Sequence, residues 1–129
     1  GIFFNGQIFD AYKFVADLIR KANKSIIIID NYVDESVFLL LNKRISNVKT
    51  TIFTKNITKE LLLDLKKYNS QYEKIEIKEF KESHDRFIIL DEKEIYLLGS
   101  SLKDLGKKWF GFFKVEDISA FQKIKNLNI

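Results

Sequence analysis

The sequence predicts an α/β fold, a mixed, mainly parallel sheet flanked by helices on both faces. Residues 25–30, Ser-Ile-Ile-Ile-Ile-Asp, form a short continuous β-branched run suited to a strand buried on both faces, as in a parallel sheet. Helix-period and strand-period segments alternate through the first half, a βαβα rhythm. In the second half strand-like runs follow one another closely, adding adjacent strands.

The elements read in order as follows. Ile8, Tyr12, Val15, Ile19 and Ala22 recur at spacings of four and three, one face of an amphipathic helix over residues 8–22. The run at 25–30 is the central strand. Residues 34–43 are helix-like and strongly apolar, and 48–53 form a Thr-rich strand. Thr58 is placed to cap a helix carrying Leu61, Leu65, Tyr68 and Tyr72 on one face. Residues 75–80 alternate apolar and polar, as an edge or half-exposed strand does. Strands at 86–90 and 94–98 flank Asp91-Glu92-Lys93, a turn composition. A last strand is expected at 110–115, and Ile118, Phe121 and Ile124 indicate a closing helix. In open sheets of this kind function gathers beyond the strand carboxyl ends, which singles out the loops 30–34, 54–58 and 99–108.

Composition bounds the rest. The chain of 129 residues is read as a single domain, residues 1–129, large enough to bury a core unaided. Its opening Gly without Met reads as the start of a piece excised from a longer protein. With no Cys, disulfide frameworks, thiol catalysis and Cys-based zinc sites are excluded, and one His precludes a His-rich metal site within one chain. No apolar run approaches the ~20 residues of a membrane span, so a cytoplasmic protein without membrane contact is expected. The net charge of +4, from 22 basic and 18 acidic residues, permits a polyanionic partner without requiring one. Twelve Phe residues are more than a core of this size needs, and they fit both a core and a dimer interface.

Chemistry concentrates in Ser83-His84-Asp85-Arg86-Phe87-Ile88-Ile89-Leu90-Asp91, where a cation follows the His by two residues and an acid follows the cation by five. On a strand His84 and Arg86 share a side. An imidazole beside a guanidinium suits phosphoester cleavage, one group attacking phosphorus and the other holding the non-bridging oxygens. Taken alone, a single His among charged residues is as well explained as a surface residue. Asp30 and Tyr32 sit where a strand end meets such a site, although an Asp there also serves as a turn or cap. Lys103, Lys107, Lys108 and Trp109 form a basic-aromatic cluster that fits either a phosphate backbone with a stacked base or a solvated loop anchored by a core Trp.

The run from His84 to Asp91 resembles the His-x-Lys-x4-Asp (HKD) motif of the phospholipase D superfamily, with Arg86 where Lys is usual. Gly99-Ser100-Ser101 resembles the Gly-Ser element that follows that motif, at a slightly longer interval and with Leu102 where an Asn is common. The order of elements suits one phospholipase D-like half-domain. Residues 29–34 and 83–113 are similar to a bacterial, phage-related subgroup in which this domain follows a KilA-N-like DNA-binding domain. The resemblance implies His84, Arg86 and Asp91 as the catalytic set and Ser100, Ser101, Lys103, Asp30 and Tyr32 as substrate-binding candidates. Within that set Asp91 is the member better suited to fixing a turn or a neighbouring strand. It further implies a metal-independent, cofactor-free reaction through a phosphohistidine, in a homodimer that brings two His84 together. Two functions stay open: a phosphodiesterase acting on nucleic acid, and an inactive regulatory or anion-binding dimerisation module that keeps the fold and uses Arg86 to bind phosphate.

Overall fold

A computed structural model of the chain describes residues 1–117, 119, 122, 123 and 126. The elements run β1 (Ile2–Phe3), α1 (Ile8–Lys21), β2 (Ser25–Ile29), α2 (Glu35–Leu41), β3 (Lys49–Thr54), α3 (Lys59–Gln71), β4 (Ile75–Glu79), β5 (Arg86–Leu90), β6 (Glu94–Leu98), a single 3-10 turn (Leu102–Asp104) and β7 (Phe110–Val115). The strands form one sheet in the order β1-β7-β6-β5-β2-β3-β4. No helix among the described residues is long and apolar enough to cross a membrane. The closing helix expected from Ile118, Phe121 and Ile124 lies outside the described residues.

Local chemistry explains the helix starts. Asp34 accepts from the Ser36 amide at 3.0 Å at the head of α2, and Thr58 accepts from the Leu61 amide at 3.0 Å at the head of α3. Each satisfies a donor that the first helical turn leaves unpaired. The buried face of α1 differs from the expected one. Ala11, Val15, Leu18 and Ile19 pack inward, while Ile8 and Tyr12 are exposed. The helix thus docks through its carboxyl half, and its first turn carries apolar side chains in solvent.

The expectation of a mainly parallel sheet is corrected. Only β2–β3 and β3–β4 pair in parallel; β2–β5, β5–β6, β6–β7 and β7–β1 are all antiparallel. The parallel pairs need the long crossovers that α2 and α3 supply, whereas the short connections of the second half can only turn the chain back. Of the helices expected on both faces, the three whose placement is described, α1–α3, all lie on one. Successive right-handed crossovers that step in one direction across a sheet leave their helices on one side. Residues of α1, α2 and α3 accordingly join Ile26, Ile28, Ile52, Ile88 and Leu90 in one core. A smaller cluster of Ile27, Ile29, Phe53, Ile89 and Ile95 fills the opposite face, and no residue of α1–α3 belongs to it. Each fully buried Ile of β2 contributes about 1.5–3 kcal/mol of transfer free energy.

The β5–β6 turn is fastened by Asp91. Asp91 and Glu92 both have positive φ, +56° and +55°, and the Lys93 amide closes the turn on the Leu90 carbonyl at 3.0 Å. The Asp91 carboxylate accepts from the amides of Asn23, Lys24 and Ser25 at 2.6–3.1 Å, so it clamps the entry of β2. Burial pushes this carboxyl up, but those amides more than offset burial and hold it below the ordinary carboxylate value. A lowered folded-state pKa contributes stability above the unfolded value near 3.8, which is lost as pH falls through the lower folded value. Asp91→Ala is therefore expected to cost about 2 kcal/mol at neutral pH. In urea unfolding the difference from the parent chain should shrink below about pH 4.

Candidate functional site

Strand direction decides where the site lies. Because β5 is antiparallel to β2, its first residues stand beside the last residues of β2, with Phe87 opposite Ile29. Arg86 is likewise opposite Leu98 at the end of β6, and Leu98 is opposite Phe112 near the start of β7. The loops after β2 and β6 and the segment carrying His84 therefore open at one end of the sheet, the carboxyl end of its parallel strands. This is where open α/β sheets place their ligands.

Asp30 organises this end. Its side chain is 0% exposed. It accepts from the Leu102 amide at 2.8 Å and the Tyr32 amide at 3.0 Å, and the Ser101 hydroxyl lies 2.9 and 3.0 Å from its two oxygens. Burial pushes the Asp30 carboxyl above its ordinary value, partly offset by the donors from Leu102, Tyr32 and Ser101 and by the Arg86 charge. Asp30 thus joins the loop after β2 to the Gly-Ser-Ser loop from below. It presents no surface to a ligand, and its hydrogen bonds hold the two loops together. Ser101 is buried with it, its hydroxyl also 2.8 Å from the Tyr32 carbonyl.

Arg86 lies above this layer, half-buried, with its guanidinium carbon 5.8 Å from the centre of the exposed Tyr32 ring. It borders a cleft of about 370 Å³ whose other walls are Gly99, Ser100, Ser101, Asp104, Lys107, Lys108 and Trp109. Gly99 is required by the close approach of β7: an added Cβ would stand 3.0 Å from the Gly111 carbonyl oxygen. Asp104 pairs with Lys103 at 3.1 Å and with Lys107 at 3.2 Å. Lys103 is not among the residues lining the cleft, while Lys107 and Lys108 are exposed on its wall. Trp109 is 66% exposed, which removes the reading of it as a core anchor.

His84 falls in the bend before β5 instead of on the strand, so strand alternation does not align it with Arg86. Its segment is held from the side. The Asn31 amide nitrogen donates to the Ser83 carbonyl at 2.7 Å, tying the bend to the loop after β2. The imidazole is exposed and makes no hydrogen bond or ion pair with a described residue. Asp91 is at the opposite end of β5, roughly 16 Å from Arg86 at the usual rise per residue. The structure thus brings Arg86, Ser100, Ser101, Tyr32 and Asp30 to one end and His84 to its edge, and separates Asp91. Two contributors were not expected: Asn31, whose only sequence signal is its place directly after Asp30, and Gly106.

Gly106 fixes the loop that carries the lysines and the tryptophan. Its φ is +78°, and an added Cβ would meet the Ile8 Cα at 2.4 Å. Both the backbone conformation and the packing against α1 exclude a side chain. Gly106→Ala is expected to cost about 3 kcal/mol in chemical unfolding.

No protein-family profile and no curated protein matches the chain. Solved structures do. NucT from Helicobacter pylori superposes with a TM-score of 0.67 and 14% identity over 98% of this chain and 90% of that one. TrmBL2, an archaeal chromatin protein whose structure shows a novel mode of DNA binding, superposes with a TM-score of 0.53 and 18% identity. That match covers 98% of this chain and 49% of TrmBL2. At these identities the likeness concerns the fold, and it supports a phospholipase D-like fold for this chain.

Proposed function

We propose that the chain is a phosphodiesterase acting on nucleic acid without a metal, as a homodimer, in the cytoplasm, and as one domain of a longer protein that also carries a KilA-N-like DNA-binding domain. The observation that carries this reading is a guanidinium, Arg86, at the wall of a basic cleft, with His84 in the adjoining bend. The likeness in fold to NucT and to the DNA-binding TrmBL2 supports it.

In this reading Arg86 holds the non-bridging oxygens of the scissile phosphate, a task suited to its planar fork of donors. The His84 imidazole attacks phosphorus, forming a P–N bond as the P–O bond to the leaving group breaks. The imidazolium of His84 from a second copy gives its proton to the leaving oxygen. That second His84, now neutral, takes a proton from water as the water oxygen attacks phosphorus, and the P–N bond breaks to restore the first. Ser100, which lines the same cleft, donates to the phosphate. Asp30 and Asn31 act indirectly, by holding the loops.

One observation favours a second reading, a module that binds phosphate without turnover. The His84 imidazole has no orienting hydrogen bond among the described residues, and a nucleophilic His is ordinarily held by one. The deciding experiment is cleavage of single- and double-stranded DNA and RNA in EDTA, by the parent chain and by His84→Ala. Cleavage that disappears in the variant supports the phosphodiesterase. A folded dimer that binds these nucleic acids and cuts none of them supports the binding module.

A further inference from the structure

We infer that Trp109 is a base-stacking platform that makes the Arg86 cleft select unpaired nucleotides. This deepens the nucleic-acid reading and rests on it.

A single exposed apolar side chain is ordinary, but this one stands in a charged cleft. Trp109 lines the same cleft as Arg86, Lys107, Lys108 and Ser100. Lys107 is committed to Asp104 at 3.2 Å, whereas Lys108 makes no ion pair with a described residue. The indole is also held in place. Phe4 meets it edge to face, with ring centres 4.8 Å apart and planes at 89°, and Gly106 pins the preceding turn against the start of α1. A π-surface held open beside a cation suits a nucleotide, whose base stacks while its phosphate reaches the guanidinium. The interior of a duplex cannot use this arrangement, because its base faces are covered by stacking and only base edges and phosphates are exposed. Single-stranded nucleic acid presents both groups at once.

The chain has one Trp, so its intrinsic fluorescence reports on this ring alone. The test compares a single-stranded oligo-thymidine of about 12 nucleotides with a blunt duplex of the same length, both labelled and followed by anisotropy in EDTA. Single-stranded DNA is expected to quench the Trp109 emission and to bind about 10-fold more tightly than the duplex. Trp109→Ala should weaken single-strand binding about 10-fold and duplex binding less than about 2-fold, with Trp109→Phe retaining most of the affinity.

Equal affinity for both forms, with unquenched emission and an unchanged Trp109→Ala, overturns the stacking role and leaves the nucleic-acid reading intact. Failure of both forms to bind overturns the two together. Sedimentation of the same samples covers the other use of an exposed Trp. If Trp109→Ala turns a dimer into a monomer without a selective loss of single-strand affinity, the ring serves subunit contact and the inference is wrong.

Discussion

Asp30→Ala is expected to lower stability by about 3–4 kcal/mol and to disable the Arg86 cleft at the same time. The carboxylate is fully buried and takes the Leu102 amide, the Tyr32 amide and the Ser101 hydroxyl. Its removal leaves the Leu102 and Tyr32 amides without an acceptor in a dry layer, at about 1–3 kcal/mol for each that water cannot reach, while the Ser101 hydroxyl keeps the Tyr32 carbonyl. The gain from no longer burying a charge offsets part of this. Asp30→Asn separates the two effects. The amide keeps the shape and one acceptor, so its cost should be near 1–2 kcal/mol. The pH dependence follows from the sign of the shift. A carboxyl raised in the folded state contributes stability that is present below the unfolded value near 3.8 and lost as pH rises through the folded value. Asp30→Asn should therefore flatten that fall in a urea-unfolding series from about pH 3 to pH 7.

His84→Ala is the other large expected effect. It should reduce turnover about ten-thousand-fold or more while leaving stability within about 0.5 kcal/mol of the parent. The activity loss is large because one substitution in a symmetric dimer removes both the nucleophile and the proton donor. The structural cost is small because the side chain is exposed and holds no hydrogen bond with a described residue. Nucleic-acid affinity should stay within about 3-fold, since Arg86, Lys107 and Lys108 supply the charge. Loss of activity accompanied by unfolding would instead point to a structural role for the bend.

Much of this fold was legible in local pattern, and what was not legible was non-local. The Thr58 cap, the alternation of Ile75 and Ile77 on an edge strand, and the Asp91-Glu92-Lys93 turn all act within a few residues, so each can be read from its own segment. Strand direction beside β2 cannot. A run of four Ile residues is equally content with parallel or antiparallel neighbours, and the insertion of β5 depends on Phe87 finding Ile29 across the chain. β1 has two residues and carries no period at all.

The candidate site divides in the same way. The segment from His84 to Asp91 could be found by its residue types, but extending strand alternation back to His84 assumed that β5 begins earlier than it does. Asp30 looked like a turn residue because its partners, Ser101 and Leu102, lie 71 and 72 residues away. The exposure of Trp109 depends on Phe4 and on the approach of Gly106 to Ile8, neither of which its own segment reveals.

The measurement closest to the central claim is the capture of the covalent intermediate. The purified chain would be mixed with a phosphorus-labelled single-stranded oligonucleotide in EDTA, quenched in alkali and digested, and its peptides examined by mass spectrometry. The expected result is label on the peptide containing His84, stable to alkali, labile to acid and missing from His84→Ala. Tight binding of the oligonucleotide with neither label nor cleavage would contradict the account and leave a phosphate-binding module in its place.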